Sequence, residues 1–315
     1  DPQTIVEMQN GQKIHFYPTN LIRIPVDKAT IIKNKVVNPK YYDSIVPYID
    51  IKIKGQAIYK NRLMMLDIIA NNNWKRPIYF TGGSFGDDDY LWMKDYLQLD
   101  GMVFKLVPVR NPIPKDGSPL DMGQIDSDKM YDIVMKWDWG NSDLTTIYHD
   151  PETRKNSITY RSNMARLMEQ LINEGKNDKA KNIIDLAMKK MPLEYFDYYS
   201  LLNSFAEGYY AVDENVKARA LITQLMNKYK DNLNYYKDLS NSEQSDLAVE
   251  IVTNLERYRS LLHIMKAHED ISFYNENKKT FNSYNQMFRH FGRENETGIE
   301  RVETVIDSIG IDSLQ

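Results

Sequence analysis

The chain has 315 residues, of which 42% are hydrophobic and 27% charged, with a net charge of −4 and no cysteine. That length exceeds what one compact core usually spans, so two domains are expected. The acidic balance argues against a nucleic-acid surface, which needs a basic excess, and gives no reason for attraction to anionic lipid; the lack of cysteine excludes disulfides, thiolate nucleophiles and cysteine-based zinc sites.

The chain changes character near residue 150. Ten of its 12 prolines lie before that point, and only Pro151 and Pro192 after it. We therefore expect a small α+β or α/β domain over residues 1–150 and an all-α domain over 151–315. In the first, Thr4–Met8 and Lys13–Tyr17 flank Asn10-Gly11, a hairpin signal. Leu21–Val26 extends or follows the second strand, and Asp27 is placed to cap a short helix over Ala29–Lys33. In Tyr48–Lys54 the isoleucines 49, 51 and 53 share one face, the pattern of a half-buried strand. Ala57–Asn71 reads as a helix apolar on most sides, hence buried. Pro77–Thr81 and Met102–Val109 are strand candidates. Between them Gly82-Gly83-Ser84-Phe85-Gly86 leads to Asp87-Asp88-Asp89, which opens a helix. Residues 110–126 read as a surface loop and Asp126–Trp137 as a helix. Strand, helix and strand in this order imply a small mixed layer.

The second part carries helical periods. Leu167 and Leu171 lie four apart on a first helix, Gly175 breaks it, Ala180 and Ala187 share a face of a second, and Pro192 ends it. Small residues there let paired helices approach closely, and these offsets match the tetratricopeptide pattern. A degenerate copy follows with Phe205, Ala206 and Tyr209, then Ala218, Ile222 and Leu225. Ser242–His268 and Ser272–Phe291 are expected to form a longer third pair, and Ile299–Ile309 a capping helix. The fold class expected is thus an N-terminal α+β or α/β domain followed by tetratricopeptide-like helical hairpins.

Three segments in order, Lys75-Arg76-Pro77-Ile78-Tyr79-Phe80-Thr81-Gly82-Gly83, then Tyr96–Pro108, then Glu174-Gly175-Lys176 through Pro192, carry a resemblance. Over most of residues 50–270 the chain resembles the C-terminal soluble region of a multipass membrane protein family common in Bacteroidetes. That family is similar to protein O-mannosyltransferases and related lipid-sugar-dependent glycosyltransferases. The resemblance implies a membrane-embedded parent with this chain as its periplasmic, extracytoplasmic tail, joined to the membrane only through an N-terminal transmembrane region outside this sequence. It also implies sugar transfer by the parent, through a catalytic acid that lies outside this sequence. No catalytic residue, cofactor or metal site is carried over. In agreement, no apolar run reaches the roughly 18 residues that span a bilayer, and Asp1-Pro2-Gln3-Thr4 has no signal-peptide character.

Candidate contacts are few. Asp87, Asp88 and Asp89 follow a glycine-rich strand-to-helix loop, where phosphate sites occur. The loop lacks the P-loop lysine, however, and three carboxylates repel phosphate; they suit a helix N-terminus, with a cation site or a sugar or peptide contact as the other readings. Trp137 and Trp139 flank Asp138, an arrangement that fits a sugar ring or ordinary packing. Tyr195, Tyr198, Tyr199, Tyr209 and Tyr210 could line a groove on the helical part, although aromatics at helical spacing are mostly core; Tyr199 and Tyr209 are the two singled out. The five histidines, 15, 149, 263, 268 and 290, show no metal-ligand spacing. Asp43-Ser44-Ile45, Asp307-Ser308-Ile309 and Asp312-Ser313-Leu314 fit a short O-glycosylation acceptor pattern, or equally turns and a frayed tail. The expected role is binding of an acceptor protein, a glycan or a partner subunit, with no nucleic acid. The alternatives are a free-standing enzyme with its site at residues 81–89, or a structural scaffold.

Overall fold

The computed structural model describes residues 4–16, 19–53, 58–81, 91–113, 121–196 and 198–292. The chain divides into two compact units, Asp1–Asp126 and Ser127–Gln315.

In the first unit every strand ladder is antiparallel, so of the two arrangements the sequence allowed, α+β is the one observed. Strands β1 (Thr4–Glu7) and β2 (Lys13–Phe16) form the expected hairpin. Its connection is not a two-residue Asn-Gly turn. The Gly11 amide donates to the Met8 carbonyl (2.8 Å) and Gly11 takes φ +76°, the form of a turn closed by a left-handed residue. Strand β3 (Leu21–Pro25) pairs with β4 (Tyr48–Lys52), and the short helix α1 (Lys28–Lys33) lies between them in sequence. Asp27 caps α1 by accepting from the Ala29 amide (3.0 Å). Ile49, Ile51 and Ile53 point into the core, as their alternation requires, beside Ile24 and against Leu66, Ile69, Met93, Leu97 and Leu106. On the outer face the Arg23 guanidinium forks onto Asp50 across the ladder (2.7 and 2.9 Å).

Two expectations for this unit are corrected. Helix α2 (Lys60–Asn71) is not buried all round: Leu66 and Ile69 face the core, while Leu63, Met64 and Ile68 are exposed. Its one packed face is too narrow for the apolar residues it carries. The second is a strand not expected from the sequence, Leu97–Asp100; the other two strands of its sheet fall within the expected Pro77–Thr81 and Met102–Val109. β5 (Tyr79–Thr81) pairs with β7 (Val103–Leu106), and β7 pairs in turn with β6 (Leu97–Asp100). All four residues of β6 are buried, so the strand shows no alternation between apolar and polar faces. Its polar members are satisfied locally: the Gln98 amide donates to Asp100 (2.7 Å). Gly101 joins β6 and β7 at φ +73°, a conformation that favours glycine at such a two-residue turn.

The second unit is helical. Helix α3 (Ser127–Val134) precedes α4 (Pro151–Asn173) and α5 (Asn177–Lys190). A short 3₁₀ turn, Tyr199–Leu202, leads into α6 (Asn203–Ala211), then α7 (Asn215–Lys237). The remaining described helices are α8 (Asn241–Asp246), α9 (Ala248–Ala267), α10 (Ile271–Met287) and α11 (Arg289–Gly292). The expected long helix from Ser242 to His268 is therefore broken at Leu247, after a capping box formed by Ser240 and Glu243.

Three hairpins, α4–α5, α6–α7 and α9–α10, share one turn. In each the first helix ends in a left-handed residue, and the next amide reaches back to a carbonyl one turn inside the helix. These bonds run from Lys176 to Leu171, Glu214 to Tyr209 and Asp270 to Met265, at 2.8, 2.8 and 2.9 Å. Counted back from those carbonyls, equivalent positions are buried in all three: Met164, Leu167, Met168 and Leu171; Leu202, Phe205, Ala206 and Tyr209; Tyr258, Leu261, Leu262 and Met265. The repeat spacing is 38 residues from 171 to 209 but 56 from 209 to 265. The difference comes from α7, which has 23 residues where α5 has 14, and from the inserted α8. The expected capping helix, Ile299–Ile309, lies outside the described residues.

Candidate functional site

Within the helical unit a cleft of about 450 Å³ opens between the segment that enters α4 and the turn that leaves α5. Both walls are fixed by helix ends. On one side Asp150 caps α4, its carboxylate accepting from the amides of Glu152 (2.9 Å) and Thr153 (3.1 Å), with Pro151 at the first helical position. On the other side the Tyr195 and Phe196 amides turn back onto the Pro192 carbonyl. Arg161 of α4, fully buried, donates from Nη2 to the Met191 carbonyl (3.0 Å) and ties that turn to α4.

The lining is mixed: Thr145, Thr146, Ile147 and Tyr148 from the entering segment, His149, Arg154 in the first turns of α4, then Glu194 and Tyr195. His149 forms the floor. Its ring stacks obliquely on Phe196, with centroids 4.8 Å apart, and lies 6.1 Å from Tyr195. It is 8% exposed, and its Nε2 has no hydrogen-bond partner. A buried polar atom in that condition is uncommon, because desolvation without a replacement bond costs about 1–3 kcal/mol. Tyr148 stands at the rim, 81% exposed.

The residues singled out from sequence fall in separate places. Trp137 and Trp139 come together with Tyr160 of α4 in a half-buried cluster, with ring centroids 5.2–5.6 Å apart in edge-on and tilted contacts. Tyr199 lies half-buried in the short 3₁₀ turn. Tyr209 is 4% exposed and donates to Asp185 (2.8 Å), which also accepts from Lys217 (2.6 and 2.7 Å). Asp87, Asp88 and Asp89 lie outside the described residues, as does all of the expected 81–89 site after Thr81. Asp43 and Ser44 end a 3₁₀ turn, and the two later acceptor-like motifs lie outside the described residues.

Tyr209 and its neighbour Tyr210 anchor two ionic clusters. Tyr210 donates to Asp270 (2.8 Å), and Arg219 forks onto the same carboxylate (2.7 and 2.6 Å). The Arg219 guanidinium holds the Asp270 carboxyl below the usual carboxylate range, and burial pushes the Tyr210 hydroxyl up. Burial of Asp185 works in the opposite direction, yet its bonds to Lys217 and Tyr209 prevail and its carboxyl also lies low. These clusters join helices. Among the described residues no three His, Asp or Glu side chains converge as a metal site.

Sequence reasoning noted His149 only as lacking metal-ligand spacing. The signal that points to it is Asp150-Pro151 beside it. That pair fixes a helix start, so the residue before it is held against whatever packs on the first turn.

Compared with known proteins, residues 1–129 match the family model described as TMEM260-associated domain 2. This part of the chain is similar to that domain, and the match ends close to the limit of the first compact unit at Asp126. No curated protein and no solved structure matches the chain. No described helix is long and apolar enough to cross a membrane.

Proposed function

We propose that this chain is a non-catalytic, extracytoplasmic accessory domain of a membrane-embedded, glycosyltransferase-like protein, and that its helical hairpins engage an acceptor protein, a glycan or a partner subunit. The observation that carries the reading is the match of residues 1–129 to a domain associated with a membrane protein. Two further features support it. The repeated hairpins of the second unit stack equivalent buried positions, the construction by which short helical arrays of the tetratricopeptide kind present binding surfaces. The sequence resemblance to the tail of lipid-sugar-dependent transferases supplies the glycosyltransferase context and the periplasmic side.

The test is removal of residues 127–315 from the full-length parent, followed by assays of sugar transfer to its acceptors and of subunit association. The reading expects loss of at least one acceptor or partner, with the membrane region still assembled. Unchanged transfer to every acceptor together with unchanged association would overturn it.

A further inference from the structure

We propose that the outer face of α2, in the first compact unit, is a self-association surface. A second copy of this chain seats its own α2 there, antiparallel to the first, with Lys60 of each copy paired to Asp67 of the other. This goes beyond the role proposed for the helical hairpins and stands independently of it.

In α2, Leu66 and Ile69 are the buried residues. Lys60, Leu63, Met64, Asp67 and Ile68 recur at steps of three and four, which gathers them on the side turned away from Leu66 and Ile69. Leu63, Met64 and Ile68 are 44–60% exposed, and Tyr59, just before the helix, is more exposed still. Large apolar side chains gathered on one helix face go beyond the scattered exposure that needs no explanation. Nothing local accounts for the charges among them. Lys60 opens the helix, where the dipole disfavours a cation. Asp67 accepts only from Asn71, one turn on (2.9 Å), and neither Lys60 nor Asp67 forms an ion pair with a described residue.

The placing of those charges specifies a second copy. Lys60 and Asp67 stand at equal distances on either side of the midpoint between Leu63 and Met64. A two-fold axis through that midpoint sets Lys60 opposite Asp67 of the partner subunit and Leu63 opposite the partner's Met64, and it brings Tyr59 toward the partner's Ile68. Two ion pairs form, one on each side of the axis, the helix dipoles run antiparallel, and the apolar side chains close around the charges. A bilayer does not suit this face, because Asp67 lies in its middle and would leave water without a cation. One 12-residue helix on another is smaller than a standard interface of about 1,600 Å², so the association is weak, with a Kd on the order of 10–100 µM.

The experiment is sedimentation equilibrium of the 315-residue chain from about 5 to about 500 µM, a range that brackets that Kd. The expectation is a monomer–dimer equilibrium. Leu63→Lys, at an exposed position, should weaken it about tenfold or more without lowering Tm. Lys60→Glu and Asp67→Lys each set like charges opposite one another in the homodimer and should weaken it similarly. An equimolar mixture of those two variants restores opposite charges at both pairs, so it should dimerise within about threefold of the wild-type Kd although neither variant does so alone. A wild-type chain that is monomeric throughout the range overturns the inference, as does a dimer that the three variants leave intact or a mixture that stays monomeric. Co-sedimentation of a monomeric chain with phosphatidylcholine vesicles, lost in Leu63→Lys, would overturn it in favour of a lipid surface.

Discussion

Three residues with positive φ close the three helical hairpins, and only one of them is glycine. Gly175, Asp213 and Glu269 take φ +70°, +61° and +57° at the same step of the same turn. Outside glycine, the left-handed conformation costs about 1–2 kcal/mol, somewhat less for Asp. Nothing lies within 4 Å of a side-chain carbon built on Gly175, so Gly175→Ala tests backbone strain alone. It should cost about 1 kcal/mol in urea unfolding. Asp213→Gly and Glu269→Gly should go the other way, raising stability by a few tenths to about 1 kcal/mol after the greater freedom of glycine in the unfolded chain is subtracted. A loss of stability in both glycine variants would show that these side chains contribute more than their strain removes.

A second residue-scale expectation concerns acid. Asp128 accepts from Lys176 and Lys179 (both 2.7 Å), and these bonds bring its carboxyl down to about 2. A carboxylate held low in the folded state contributes stability that is fully present above its unfolded pKa of about 3.9. That contribution is lost as pH falls from there through the folded value. Asp270 and Asp185 shift in the same direction and add to the same loss. Denaturant midpoints measured from pH 6 to pH 2 should therefore fall most steeply below about pH 4. The fall should be shallower in Asp128→Asn, since that side chain no longer titrates. The effect of Asp128 is modest because its carboxylate is 46% exposed.

At the scale of elements, α2 separates what the sequence could show from what it could not. Its helical period was legible, but which side is packed was not, since Leu63, Met64, Leu66, Ile68 and Ile69 look alike in a string. Only the surrounding sheet decides that Leu66 and Ile69 are the pair facing Ile24 and Ile51. Leu66→Ala and Ile69→Ala should each cost about 2–4 kcal/mol, whereas Leu63→Lys and Ile68→Lys should cost less than about 0.5 kcal/mol and reduce self-association in light scattering. Equal costs at both pairs would mean that the second face is covered as well. Strand β6 was hidden for a related reason. A strand buried on both faces loses the alternation that marks strands, and Gln98 and Asp100 satisfy each other inside the fold instead of facing water. By contrast Gly175, Ala180, Ala187 and Pro192 announced the first helical hairpin, because each acts locally through backbone freedom, small size or a missing amide. The third hairpin was less legible. Its turn carries Glu269 in place of glycine, and the insertion of α8 moves it off the 38-residue spacing. The candidate cleft was scarcely legible, because Thr145–His149 and Glu194–Tyr195 lie far apart in sequence and meet only when α4 and α5 fold back on each other.

The helical unit taken as a whole behaves as a row of hairpins joined by neighbour contacts, and its joints are chemically distinct. Tyr209 and Tyr210, adjacent on α6, reach in two directions. Tyr209 bonds Asp185 of α5, toward the first hairpin, and Tyr210 bonds Asp270, at the start of α10 in the third. Asp270 thus serves three purposes: its amide closes the α9 turn, it stands at the N-terminus of α10, and its carboxylate holds Arg219 of α7. In a linear array each hairpin depends on its own stability and on the interface with the next. Cutting one joint should then loosen one end and leave the other intact. Arg219→Ala leaves the 8%-exposed Asp270 without its cation, which should cost about 1–3 kcal/mol, limited by the half-exposed guanidinium. Amide exchange should accelerate in α9 and α10 while α4 and α5 keep their protection. Lys217→Ala, which cuts the joint to Asp185, should shift the balance toward loosening between α5 and α6. Uniform acceleration through all the helices in either variant would mean that the unit opens as one cooperative block. In that case a ligand seated between α4 and α5 would stabilise the third hairpin as strongly as the first.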